Sequence, residues 1–118
     1  MMFQTLVMPT LRIVIALHAL GIVAQAILAG QFLSGALEPV RFHEWAAWVV
    51  LVIAAVQIVV AFVQRAGLAL AITSVFMFVA EALQTGTGYG RFLGVHIPLG
   101  VLLFGAVSWQ LFEAFRRQ

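Results

Sequence analysis

The chain has 118 residues, 64% of them hydrophobic and only 8% charged, with six Arg and four Glu but no Lys, Asp or Cys. A water-soluble domain carries about a quarter of its residues as charged side chains, so this chain has too little polar surface to coat a globule in water, and its mean hydropathy of +1.14 points to an integral membrane protein. The missing cysteines exclude a disulfide framework, a thiolate metal site and thiol catalysis; the pI near 10.6 reflects arginines that set topology, not a nucleic-acid patch.

In chain order, four apolar stretches emerge at about 9–35, 42–63, 68–88 and 94–115, each near the roughly 20 residues that cross a bilayer core. The first is too long, and lacks a clear cleavage site, to read as a cleavable signal peptide. Strands are excluded, because a spanning sheet must close into a barrel. The links are short, at 36–41, 64–67 and 89–93, so neighbours run antiparallel. The expectation is an all-α integral membrane protein of one domain over 1–118, a four-helix up-down bundle of two repeated hairpins at about 10–64 and 67–117. Arg12, Arg65, Arg116 and Arg117 fall on one side, and Arg41 and Arg91 on the other. By the positive-inside rule both termini are cytoplasmic.

The repeat is visible in the polar residues. Gln31, Gly35, His43, Ala47 and Gln57 recur as Gln84, Gly88, His96, Gly100 and Gln110, each 53 residues later, and Ala61-Phe62 recurs as Ala114-Phe115. His43 and His96 open the second and fourth helices, at matching depth near the outer side. In a square bundle those helices are diagonal partners, so the two imidazoles face each other. The cavity between them suits a flat macrocycle with one histidine on each face: haem b, one per chain, with His43 and His96 as axial ligands. Ala47, Gly100, Gly35 and Gly88 leave room for the ring. Gln31 and Gln84 are placed to hold a ligand nitrogen or a propionate, and Arg41 and Arg91 to pair with propionates. Each of these has a plainer reading: an interfacial histidine, small residues that pack membrane helices, helix-capping glutamines, headgroup-anchoring arginines.

A deeper layer holds His18, Gln57 and Gln110, which read as interhelical glue. Glu81 is an ionisable residue inside the third apolar stretch, and so a functional candidate. Glu81 and His18 are the proton-active candidates, and the spacing puts them far apart along the bundle. Without another strong ligand near His18, one haem is expected rather than two.

At these residues the chain resembles half of the haem A synthase family, whose eight helices form two similar four-helix halves. Gln25-x2-Leu28-Ala29-Gly30 through Gly35 resembles its first helix, Glu81-Ala82-Leu83-Gln84 with Gly86 and Gly88 its third, and His96-Ile97-Pro98-Leu99-Gly100 its fourth. The resemblance implies that His43 and His96 are axial ligands. The family's catalytic glutamate would stand three residues before His43, where this chain has Val40, and the family's outer-loop cysteine pair is absent. This argues against a complete haem A synthase. The layout is also similar to small four-span bacterial membrane proteins. The leading expectation is a b-type haem protein for electron transfer or haem carriage, embedded in lipid as a homo-oligomer or a subunit of a larger complex. Its redox partner would be at the outer face, and it would bind no nucleic acid. A cofactor-free assembly subunit and a small proton-coupled transporter are the alternatives.

Overall fold

The computed structural model describes the backbone of residues 2–116 and the side chains of residues 9–116; Arg117, one of the topology charges, lies outside them. Four α-helices follow in order: α1 (Met2–Leu33), α2 (Pro39–Val63), α3 (Leu68–Tyr89) and α4 (Leu93–Arg116). Each is long and apolar enough to cross a membrane. α2 opens on Pro39, a first-turn position where a proline's missing N–H costs nothing and its fixed φ suits the helix.

One device ends the first three helices. Ala36 N–H donates to Gln31 O at 3.1 Å and Gly35 N–H to Phe32 O at 3.0 Å, a pair of bonds that satisfies the last carbonyls and needs a left-handed residue. Gly35 supplies it with φ +101°. The same bonds close α2 at Arg65 and Ala66, and α3 at Arg91 and Phe92, with arginines in the left-handed position (φ 49° and 58°). A β-branched residue is poorly tolerated there, so Gly35→Val is expected to cost about 1–2 kcal/mol, read as a lower midpoint of unfolding in detergent.

α1 packs on α2 and α4, and α3 on the same two, which leaves α1–α3 and α2–α4 as diagonals of a square bundle measuring 53 × 20 × 20 Å. The inward positions follow two intervals. Between α2 and α4 it is 53 residues: Val50 and Leu103, Ala54 and Val107, Gln57 and Gln110, Ala61 and Ala114, all buried. Between α1 and α3 it is 59: Leu11 and Leu70, Ile15 and Ser74, His18 and Met77, Ile22 and Glu81, again all buried. The path from α1 into α2 is thus six residues longer than that from α3 into α4. The extra length is spread over a longer last turn of α1, a longer connection and a later His43 in α2.

The interior has three zones. At the end bearing the chain termini, Leu11, Ile15, Ala61, Ala66, Leu70 and Ala114 form an apolar cluster. Ile22, Val50, Met77, Ala80, Leu103 and Val107 form another nearer mid-bundle. Polar side chains interleave with them, and the histidine end is open. Outside, large apolar side chains face away from the bundle along its whole length, among them Leu20, Val52, Ile72 and Phe104, each more than half exposed.

Candidate functional site

His43 sits in the first turns of α2 and His96 in the first turn of α4, both half-buried. The helices start close to these residues, so the side chains enter the bundle at one level from opposite corners. Their ring centroids are 6.1 Å apart and the ring planes stand at 71°. Each ring is held from behind by a main-chain carbonyl. His43 Nδ1 lies 3.1 Å from Gln25 O, and His96 Nδ1 lies 2.8 Å from Gln84 O. A carbonyl only accepts, so both Nδ1 atoms carry the proton. That tautomer leaves a lone pair on Nε2 of each ring, and neither Nε2 has a hydrogen-bond partner among the described residues. Tethering one ring nitrogen to fix the lone pair of the other is how proteins prepare metal-binding histidines.

The rings border a cavity of about 660 Å³ lined from all four helices, within the size range of small-molecule sites. Among the residues expected there, His43, His96, Ala47, Gly88 and Arg91 line it. Gln84 and Gly100 stand behind His96. The Gln84 carbonyl holds the ring, and a Cβ on Gly100 would come within 3.0 Å of Gln84 Nε2. Three expected residues lie elsewhere. Gln31 borders a separate open groove with Leu28, Ser34 and Glu38. Gly35 closes α1 from an exposed turn, and Arg41 is exposed away from the cavity lining. The positions that match Gln84 and Gly88 are Gln25 and Ala29, 59 residues earlier, and both line the cavity. With six residues of slip between the two halves, Gln25-x3-Ala29 pairs with Gln84-x3-Gly88, a match hidden in the gapless 53-residue register. Glu44, Thr85 and Tyr89 also line the cavity.

Gly88 is required by contact. A Cβ there would come within 2.9 Å of His96 Cε1 and 3.2 Å of Nδ1. The ring cannot retreat without giving up the Gln84 carbonyl. Gly88→Ala is therefore expected to cost about 1–3 kcal/mol by overpacking and to shift the His96 ring resonances in a nitrogen NMR spectrum, while His43 stays in place.

A second polar cluster fills the bundle interior. His18 Nδ1 lies 2.7 Å from Gln57 Oε1, and its Nε2 meets Glu81 Oε1. Gln57 Nε2 donates to Ser74 Oγ and to Gln110 Oε1, each at 3.0 Å, and Gln110 Nε2 donates to Thr73 Oγ1 at 3.0 Å. His18 and Glu81, expected to be far apart, are in contact. The expectation aligned Gln31 with Gln84, which separates them by ten residues, or about 15 Å of helix. Aligning Gln25 with Gln84 reduces this to four residues, about 6 Å, which the two side chains span.

Among the described residues no group of three or more His, Cys, Asp or Glu side chains is arranged to hold a metal ion. The donor set at the cavity is two imidazoles. Two metal–imidazole bonds of about 2 Å, plus the radii of the two rings, separate the centroids by about 6 Å when one metal lies between them. The observed centroid separation of 6.1 Å is compatible with that spacing. No family model, no protein of known function and no solved structure matches the chain.

Proposed function

We propose that the chain is a membrane-spanning b-type haem protein, with one haem held between His43 and His96 at the end of the bundle away from the termini, serving electron transfer or haem carriage. One observation carries this reading: two imidazoles stand across a diagonal with ring centroids 6.1 Å apart, each tied through Nδ1 to a carbonyl and neither with Nε2 bonded to a described residue. The haem iron supplies a reversible one-electron centre. The protein's residues do the rest. Gln25 and Gln84 carbonyls orient the ligands, and Ala29, Ala47 and Gly88 keep the walls low. Arg91, in a left-handed conformation at the cavity's edge, offers a guanidinium to a carboxylate near the water boundary. With both imidazoles given to the iron, His43 and His96 would leave it no place for oxygen, which favours electron transfer over oxygen chemistry.

In this reading the four helices insert in a bacterial inner membrane with both termini cytoplasmic, as two hairpins of one pattern whose first copy carries six extra residues. The cavity lies near the outer face. One haem there does not span about 30 Å of hydrocarbon, so the redox partner docks at the outer side or a neighbouring subunit carries a second cofactor. Val40 stands where the resembling enzymes have their catalytic glutamate, so haem oxidation is not assigned to this chain.

The test is optical. Detergent-purified protein titrated with haem is expected to show saturable one-to-one binding, with a Soret band and sharp α and β bands on reduction. Protein that stays colourless would overturn the reading in favour of a cofactor-free subunit.

A further inference from the structure

The hydrogen-bond directions around His18 leave no freedom. Ser74 Oγ–H donates to Leu70 O and Thr73 Oγ1–H to Ala69 O, each at 2.7 Å, so both hydroxyl oxygens are left only to accept. The amide nitrogens of Gln57 and Gln110 donate to them. That orientation turns Gln57 Oε1 toward His18 Nδ1, so Nδ1 carries a proton. The other ring nitrogen meets Glu81 Oε1. A bare lone pair against a carboxylate would repel, so one proton lies between them. Whichever atom holds it, the pair is neutral overall, which suits residues only 0% and 4% exposed.

The two directions out of this pair differ. Toward the terminal end the donor chain stops at backbone carbonyls, and the apolar cluster around Leu11, Ile15 and Leu70 follows. Toward the histidine end, Glu81 Oε2, Gln84 Oε1 and Gln25 Oε1 are buried acceptors with no hydrogen-bond partner among the described residues; the fourth such acceptor, Gln64 Oε1, lies at the far end of α2, past Gln57 and the buried Ala61. Gln84 is one turn from Glu81 on the same face of α3, and Gln25 lines the cavity. Buried acceptors need donors, and a water with several polar partners supplies them. Among the described residues no other titratable side chain is hydrogen-bonded to the pair. α2 and α4 present only Gln57 and Gln110. His43 and His96 lie past Gln25 and Gln84, and Arg12, Glu113 and Arg116 sit at the terminal end.

We propose that His18 and Glu81 form a buried one-proton binding site that exchanges with the histidine-end cavity, through water held by Gln25, Gln84 and Glu81 Oε2, and that is closed toward the terminal end. The site does not depend on what the cavity binds. The chain has three histidines, so nitrogen NMR of histidine-labelled protein in lipid nanodiscs resolves it. The expected result is a His18 ring protonated at Nδ1, with a second proton at Nε2 shared with Glu81. Its ring protons exchange with D₂O, at least tenfold more slowly when Gln25→Leu and Gln84→Leu are combined. Glu81→Gln, which keeps the shape, is expected to leave Nδ1 protonated and to abolish the shared-proton signal at Nε2. A His18 ring with a bare Nδ1, no shared-proton signal at Nε2, or an exchange rate indifferent to the paired glutamine substitutions, would overturn the proposal. Protein that stays colourless with haem sinks only the haem reading and leaves these signals unchanged.

Discussion

Replacing His43 and His96 together with alanine is expected to abolish haem retention, and each single replacement to weaken it by more than a hundredfold. The estimate is anchored in the behaviour of groups that merely orient a ligand, whose loss costs about 10–100-fold in metal affinity; loss of the ligand itself exceeds this. The single variants keep one imidazole in place, because each ring is tethered independently, His43 to Gln25 O and His96 to Gln84 O. Their spectra should change from six-coordinate to five-coordinate form. Gln84→Ala is the informative control. It deletes the side chain but keeps the carbonyl that holds His96, so its spectrum should stay close to that of the unsubstituted protein. Visible spectra and haem titrations of the four variants measure all of this. An unchanged spectrum in the double variant would show that other groups bind the iron.

The second large effect is structural. Gln57→Leu removes three interhelical hydrogen bonds at once, those with His18, Ser74 and Gln110. Single bonds of this kind contribute about 0.6 kcal/mol on average and up to about 1.7, and here three helices lose a common buried partner. The expected cost is about 2–5 kcal/mol. Gln110→Leu, which removes two bonds, should cost about 1–3 kcal/mol. Glu81→Gln keeps a polar group against His18 and should cost less than either. Unfolding in mixed micelles measures the series. Equal stability of Gln57→Leu and the unsubstituted protein would mean that apolar packing alone holds the bundle.

How much of this was legible beforehand varies residue by residue. His43 and His96 were legible because both stand at the starts of their helices, and a position near a start depends little on the rest of the chain. Gln57 and Gln110 were legible for the same reason, being fourteen residues further along uninterrupted helices. Gln31 and Gly35 were misplaced because the spacing was carried across a turn. Gly35 ends α1 in a left-handed turn and Gln31 lies in the last turn before it, whereas Gln84 and Gly88 lie deeper in α3 relative to the cavity. The carbonyls that hold the imidazoles have no sequence signature, since every residue has one.

Composition alone determined that four apolar helices must cover their own backbone polar groups, and that lone polar residues inside them would gather at the centre. The pairing of polar residues between α2 and α4 determined that two histidines share one level. Only the tertiary structure decided which residues of α1 face α3. That choice depends on where α1 ends and how the chain turns back, and a six-residue difference moves a helix by about 9 Å along its axis. The difference brings Gln25 in place of Gln31 to the cavity and joins His18 to Glu81, turning two separate polar residues into one buried pair.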